Sequence, residues 1–151
     1  MTAGPGSAAH DGALAVARTG GCLCGAVRYR IDRPPLWVAH CHCSMCRRAQ
    51  GAGFVTWAGF AEAALGFDAG EELLSRYSSS AAAMRSFCRR CGTPLFFQSS
   101  RWPGEIHVTL ASLDSADGLE PQAHVYWGSR APWLGSVGDD LPKVEATGEP
   151  G

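Results

Sequence analysis

The arrangement of the seven cysteines constrains the fold of this 151-residue chain more than any other feature. They occupy one cluster of three and two separated pairs: Cys41, Cys43 and Cys46; Cys22 and Cys24; Cys88 and Cys91. Their CxC and CxxC spacings are typical of metal ligands in a reducing compartment. Four thiolates close a tetrahedral zinc site, whereas three leave one position for another ligand. The sequence therefore predicts two different metal sites.

The two separated pairs are predicted to hold one structural zinc. In an extended segment, residues two apart face the same way, so Cys22 and Cys24 can present both sulfurs to one ion. Cys88 and Cys91 frame a knuckle turn, with Gly92 where a left-handed residue is needed. Such a site contributes on the order of 10 kcal/mol to folding. The alternatives are four unrelated core cysteines, or a thioredoxin-like CxxC pair, which would require a following helix.

The cluster of three is the candidate reactive site. Cys41 and Cys43 share one face of an extended segment, and a helical step brings Cys46 to the same side. His40 and His42 are candidates for a fourth ligand, but their side chains should point away from the thiols, which favours packing or supporting roles. We expect a zinc with an open or exchangeable fourth position. Closure by a fourth protein ligand and iron–sulfur ligation are the alternatives.

Three thiolates would give zinc a net negative charge, which suits exchange with an incoming thiol better than hydrolysis. A coordinated thiol loses its proton and becomes nucleophilic. Four arginines adjoin the cysteine blocks: Arg47, Arg48, Arg89 and Arg90. They could offset the negative charge and bind the carboxylates of an anionic thiol, or they could be solvated surface residues.

Composition sets broad limits on the class of protein. A hydrophobic fraction of 46% over this length predicts one globular domain. The formal net charge of −1 and the pI near 6.5 give no reason to expect nucleic acid or an anionic membrane as a partner. No segment approaches the ~20 apolar residues of a membrane span, and the start of the chain lacks the pattern of a secretory signal. We therefore expect a cytoplasmic protein.

Short alternating segments predict a mainly β fold built of hairpins. Strands are expected over residues 26–31, 36–41, 54–60, 73–77, 95–97, 105–111 and 123–127. A short helix is expected over residues 44–50, ended by Gly51 and Gly53. Residues 81–87 fit either a strand or a short helix, and residues 61–72 show no clear period.

Domain limits follow from the composition of the two ends. Residues 1–18 are rich in Gly, Ala, Ser and Thr without apolar periodicity, and we expect a disordered leader there. The zinc-binding domain is predicted over residues 19–142. Residues 143–151 are predicted to be a disordered tail.

Together, three cysteine blocks and a late pattern resemble the glutathione-dependent formaldehyde-activating enzyme family. The matching segments are Gly21–Tyr29, Cys41–Arg48, Phe87–Gly92, His124–Tyr126, Pro132–Trp133 and Asp140–Pro142. The resemblance implies a zinc-stabilised β-tent fold with two zinc ions. It further implies a structural zinc at the four paired cysteines and a catalytic zinc at the cluster of three.

The same resemblance implies a reaction and its partners. Glutathione or a similar small thiol would add to formaldehyde or another small aldehyde, giving an S-hydroxymethyl adduct, formally a carbon–sulfur lyase reaction run in reverse. The competing hypothesis is a non-catalytic module, in which both zincs are structural and the β surface recruits a protein partner. A variant of Cys43 separates the two hypotheses, because only an open site can lose its ligand while the fold persists.

Overall fold

The computed structural model describes residues 17–135 and 138–146. The expected leader falls almost wholly outside these ranges, as do residues 147–151 of the expected tail, so the predicted domain limits stay a prediction. The first described strand begins at Arg18. Near the other end, Lys143 forms a parallel bridge with His124, and the N–H of Val144 donates to the carbonyl of His124 at 2.9 Å.

Within the described ranges, the protein has ten strands and one α-helix. The strands are β1 (Arg18–Gly21), β2 (Arg28–Ile31), β3 (Trp37–Cys41), β4 (Val55–Ala61), β5 (Leu65–Ala69), β6 (Leu74–Ser80), β7 (Ala83–Cys88), β8 (Pro94–Ser99), β9 (Glu105–Thr109) and β10 (His124–Val125). Helix α1 spans Ser44–Gln50. It ends at Gly51, whose φ of 60° provides a left-handed cap.

The strands form two sheets in one compact domain, which confirms the predicted mainly β fold class. The smaller sheet has the order β1-β2-β5, and the larger has the order β10-β3-β4-β9-β8-β7-β6. Every neighbouring pair is antiparallel except β10 with β3. Because β3 is followed directly by α1, the sheet delivers the cluster of three cysteines to the start of a helix.

The main core lies between the two sheets. Val27, Tyr29 and Ile31 are buried while the intervening Arg28 and Arg30 are more exposed, as the alternation predicted. Tyr29 meets the ring of Phe96 edge-on, at 5.1 Å between centroids. The smaller sheet therefore covers one face of the larger sheet with apolar side chains, and this burial stabilises the domain.

The opposite face of the larger sheet carries a second apolar cluster beside the cysteines. Cys41, Cys46, Val55 and Trp57 are buried there, and Phe97 packs against them. Strand β4 therefore has apolar neighbours on both of its faces. That double burial explains why its sequence lacks a clear alternation of polar and apolar residues.

Several predicted boundaries require correction. The segment with Cys22 and Cys24 was expected to be extended, but it is a turn in which the N–H of Gly25 donates to the carbonyl of Cys22 at 3.0 Å. Its strand starts at Arg28, because Gly25 has a φ of 75° and turns the chain first. The strand expected over 123–127 is limited to β10, since Tyr126 adopts a φ of 53° and a 3-10 turn follows.

The structure also assigns two segments that the sequence leaves open and shortens one predicted strand. Of residues 81–87, for which strand and helix were both possible, residues 83–87 belong to strand β7, which pairs with both β6 and β8, and residues 81–82 form a turn. The unplaced segment 61–72 contains β5 between two 3-10 turns, and β5 completes the smaller sheet. Strand β9 ends at Thr109, two residues before the predicted end, where a 3-10 turn begins.

Gly59 is predicted to be intolerant of a side chain. A Cβ at this position would overlap the indole ring of Trp37, which lies directly against the backbone of β4. We expect Gly59→Ala to lower the free energy of unfolding by about 1–3 kcal/mol, as overpacking usually does. Gly53→Ala is the matched control, since its Cβ would meet its neighbours only at 3.6 Å or more. Equal stability of the two variants in urea would contradict the packing of Trp37.

A second prediction concerns acid stability. Asp114 accepts hydrogen bonds from Arg28 and, at 2.6 Å, from Thr19, and these donors lower its pKa to about 2. A carboxyl with a depressed pKa stabilises the fold above its unfolded pKa and loses that contribution as the pH falls through the folded value. We expect Asp114→Asn to be less stable than wild type near neutral pH, with the difference shrinking between about pH 4 and about pH 2.

Denaturant unfolding at several pH values checks this expectation. Asp117→Asn is the control, because Asp117 is an exposed aspartate three positions along the same loop. A stability difference for Asp114→Asn that is independent of pH would contradict the assigned ion pair.

Candidate metal centres and the adjoining cavity

The paired cysteines are brought together by two tight turns, one from each sheet. Cys22 and Cys24 lie in the turn that follows β1. Cys88 ends β7, and the N–H of Gly92 donates to its carbonyl at 2.7 Å, closing the predicted knuckle turn around Cys91. The φ of 77° at Gly92 matches the left-handed residue that the sequence predicted.

The sulfurs of these four cysteines have the spacing of a metal site. Their Sγ atoms all lie within 4.8 Å of one another, with Cys22 and Cys24 at 3.6 Å and Cys24 and Cys88 at 3.9 Å. Zinc–thiolate bonds of about 2.3 Å in a tetrahedron place sulfurs about 3.8 Å apart. In residues 17–135 and 138–146 this is the one group of Cys, His, Asp or Glu ligand atoms that is so tightly gathered. The group can hold a metal ion, and its donor set fits zinc.

Thr93 links the two turns and was not anticipated from the sequence. Its hydroxyl donates to Sγ of Cys91 at 3.1 Å and accepts the N–H of Leu23 at 3.0 Å. The hydrogen bonds from Thr93 lower the pKa of Cys91 to about 5, which favours the thiolate that a metal requires. The CxxCxT pattern is the only sequence signal of this role.

The cluster of three cysteines lies where β3 meets α1. Cys41 is the last residue of β3, Cys43 caps the helix, and Cys46 follows within its first turn, as the spacing predicted. Cys41 and Cys46 are buried, while Cys43 is partly exposed. Hydrogen bonding from its two neighbours lowers the pKa of Cys43 to about 2, and the same contacts raise the pKa of Cys41. Among the described residues, the three sulfurs are not gathered as tightly as those of the paired cysteines.

Arg85 on β7, rather than the predicted arginines, contacts this group. Its two terminal nitrogens lie 3.7 and 3.6 Å from Sγ of Cys46, and its guanidinium lies over the ring of Phe97 at 4.9 Å. The role of Arg85 is indicated in the sequence only by the alternation of side chains along β7. This alternation places Arg85 and the buried Ser86 on opposite faces of the sheet. A cation on this face can offset the negative charge of several thiolates.

A cavity of about 400 Å³ opens beside the cluster of three. All three thiol-bearing residues line it, together with apolar and aromatic side chains from the larger sheet and from the loop between β8 and β9: Trp37, Trp57, Phe97, Val125 and Trp102. None of the four paired cysteines lines this cavity. The two cysteine groups therefore differ in access, with the looser group facing the space that a small molecule can occupy.

His107 lies in the wall of the cavity and is held by Glu105. Its Nε2 donates to the carboxylate of Glu105 at 3.2 Å, and the indole N–H of Trp37 donates to the same oxygen at 3.2 Å. Burial lowers the pKa of His107 in spite of this carboxylate. The imidazole is consequently a neutral, fixed part of the wall at neutral pH.

His40 and His42 pack against the ring of Phe54, as expected for packing roles, and Nδ1 of His40 lies 2.8 Å from the hydroxyl of Thr56. His42 lies 2.8 Å from His124 through their ring nitrogens, and Nε2 of His124 donates to Asp139 at 2.9 Å. Lys143 donates to the other carboxylate oxygen of Asp139 at 2.7 Å. Burial, followed by the charge of His124, lowers the pKa of His42 to about 4. These hydrogen bonds link residues 138–146 to the end of strand β3, which carries Cys41.

No helix among the described residues has the length and apolar character needed to cross a bilayer.

Comparisons with known proteins agree with the cysteine pattern. The family model described as glutathione-dependent formaldehyde-activating enzyme matches residues 17–129. A Halomonas elongata protein, provisionally named glutathione-dependent formaldehyde-activating enzyme, is 31% identical over 124 residues, covering 76% of this chain and 78% of the relative. An uncharacterised lyase of Schizosaccharomyces pombe is 34% identical over 80 residues, covering 52% of this chain and 55% of the relative.

A solved structure shares the fold. The crystal structure of a Rhodobacter sphaeroides protein superimposes with a TM-score of 0.56 at 28% identity, covering 83% of this chain and 98% of that protein. The family model spans most of the chain, including all seven cysteines. The chain therefore belongs to the glutathione-dependent formaldehyde-activating enzyme family.

Proposed function

We propose that this protein is a zinc enzyme of the carbon–sulfur lyase type. In the synthetic direction, glutathione or a similar thiol adds to formaldehyde or another small aldehyde and gives an S-hydroxymethyl adduct. The observation that carries the proposal is the position of Cys41, Cys43 and Cys46 in the lining of a cavity of about 400 Å³. Family membership and the lyase name of one relative support the reaction class.

The two cysteine groups take different roles in this proposal. Cys22, Cys24, Cys88 and Cys91 form the structural site, because four gathered thiols complete a tetrahedron and leave no position for substrate. The cluster of three holds the catalytic zinc. When bound there, zinc supplies a coordination position at which an incoming thiol is deprotonated.

The chain's own residues prepare the site for a thiol. Arg85 donates toward Sγ of Cys46 and offsets the negative charge that accumulates when several thiolates meet. The aromatic rings of the cavity displace water, so that the charges inside interact more strongly than in solvent. Partly exposed Cys43 lies on the side of the group that an arriving substrate can approach.

A reducing compartment, and hence the cytoplasm, suits this chemistry. All seven cysteines are free thiols, and each of them has a proposed role as a metal ligand that disulfide formation would abolish. The proposal therefore places no cysteine in a disulfide.

Variants of single cysteines distinguish the two proposed metal sites. We expect Cys43→Ala to keep the fold, to lose one zinc per chain and to lose adduct formation. Cys88→Ala should lose the structural zinc and unfold, because structural zinc binding contributes on the order of 10 kcal/mol to folding in small domains. Zinc analysis, thermal unfolding and adduct formation by NMR give the three readouts.

The competing non-catalytic module predicts a different result. If both zincs were structural, Cys43→Ala would unfold the domain as Cys88→Ala does, and wild type would form no adduct above the uncatalysed rate. Either outcome would contradict the lyase proposal.

A variant of Arg85 tests whether a positive charge beside Cys46 is needed for the reaction. We expect Arg85→Ala to lower kcat/KM by about 10- to 100-fold, since a hydrogen bond to a charged group contributes ~1.5–3 kcal/mol. Arg85→Lys should restore part of the loss, because the positive charge returns without the planar fork. Arg76→Ala, an exposed arginine on the neighbouring strand β6, is the control. Unchanged kcat/KM in Arg85→Ala would exclude this role.

A further inference from the structure

One wall of the cavity is aromatic, and its rings pack on one another. The ring of His107 lies 4.6 Å from Trp37, 5.4 Å from Phe97 and 5.4 Å from Trp102, measured between centroids. Trp57 belongs to the same wall, since its ring lies 6.0 Å from the ring of Phe97 between centroids. Because each ring packs on another, little conformational entropy is lost when a ligand contacts them.

Apart from the three thiols, the charged side chains in the lining are two arginines. Arg85 and Arg101 line the cavity, and each guanidinium lies over a ring of the wall. Among the described lining residues there is no Asp, Glu or Lys. Glutathione carries two carboxylates at neutral pH, and the two arginines can pair with them. The aromatic rings of the wall offer a charged group no such partner, so they are left for an apolar group.

The size of the cavity also exceeds what formaldehyde requires. A volume of about 400 Å³ falls within the range of roughly 300–1,000 Å³ found for pockets that bind drug-sized ligands. Formaldehyde has two heavy atoms and no apolar substituent that could contact the rings. An aldehyde with an aryl or long alkyl group would bury that group against them.

We propose that the aldehyde used by this protein carries an aryl or long alkyl group, which binds on the wall formed by Trp37, Phe97 and Trp102. This inference rests on the proposed thiol–aldehyde addition and names its substrate class. In the step, a sulfur–carbon bond forms as the carbonyl π bond breaks. The electron pair moves to the carbonyl oxygen, which takes up one proton, balancing the proton lost by the thiol. The product is a hemithioacetal, and no oxidant or reductant is consumed.

Binding of two inert glutathione thioethers tests the apolar wall without catalysis. S-benzylglutathione and S-methylglutathione share every charge and differ in the apolar group. Calorimetry on the zinc-loaded protein should give at least about tenfold tighter binding of the benzyl compound. Equal affinities in the wild-type protein would overturn the inference.

Trp102 allows a matched pair of variants. It is partly buried and lies on the loop between β8 and β9, so we expect Trp102→Ala to remain folded, which its melting curve checks. We expect this variant to lose most of the preference for the benzyl compound over the methyl compound. Trp133→Ala, which removes an indole that is 74% exposed and outside the cavity lining, should keep the full preference. Equal preference in both variants would overturn the assignment of the wall.

Kinetics separate this inference from the proposed function. With glutathione, the rate enhancement over the uncatalysed reaction should be at least about tenfold larger for benzaldehyde than for formaldehyde. A larger enhancement for formaldehyde would overturn the substrate class and leave the lyase proposal standing. A preference for the benzyl thioether without adduct formation from either aldehyde would support the apolar site and reject the lyase activity.

Discussion

The meeting of four cysteine thiols between the two sheets is the constraint on which the remaining structure depends. One pair follows β1 of the smaller sheet, and the other frames the turn after β7 of the larger sheet. Cys24 and Cys88 are separated by 64 residues, so joining them closes a long loop at a large entropic cost. Metal binding is the interaction that can offset this cost in a small β domain with short strands.

Once the sheets are joined on one face, the other face of the larger sheet is free to form a site. Tyr29 and its neighbours cover the first face, whereas Cys41, Trp57 and Phe97 lie on the second. The short step from β3 into α1 then gathers Cys41, Cys43 and Cys46 at the edge of an aromatic cavity. The same sheet thereby separates the proposed structural ligands from the proposed reactive ones.

Much of this organisation was predictable from short-range chemistry, and the errors share a physical cause. The structure agrees with three local signals: the spacing of the cysteines, the glycine after Cys91 and the end of α1 at Gly51. Cys22 and Cys24 share a site through a turn rather than an extended segment, because Gly25 reverses the chain first. Arg85, Trp102 and His107 were missed, since their common cavity results from long-range strand pairing that no local pattern records.

In the proposed enzyme, one metal site is closed and the other exchanges ligands with a thiol. Cadmium NMR of the cadmium-substituted protein, recorded with and without glutathione, tests this difference. We expect two resonances, one typical of four thiolates that does not respond to glutathione, and a second that shifts when the thiol binds. A single resonance, or two resonances that do not shift with the thiol, would contradict the presence of a closed and an open site.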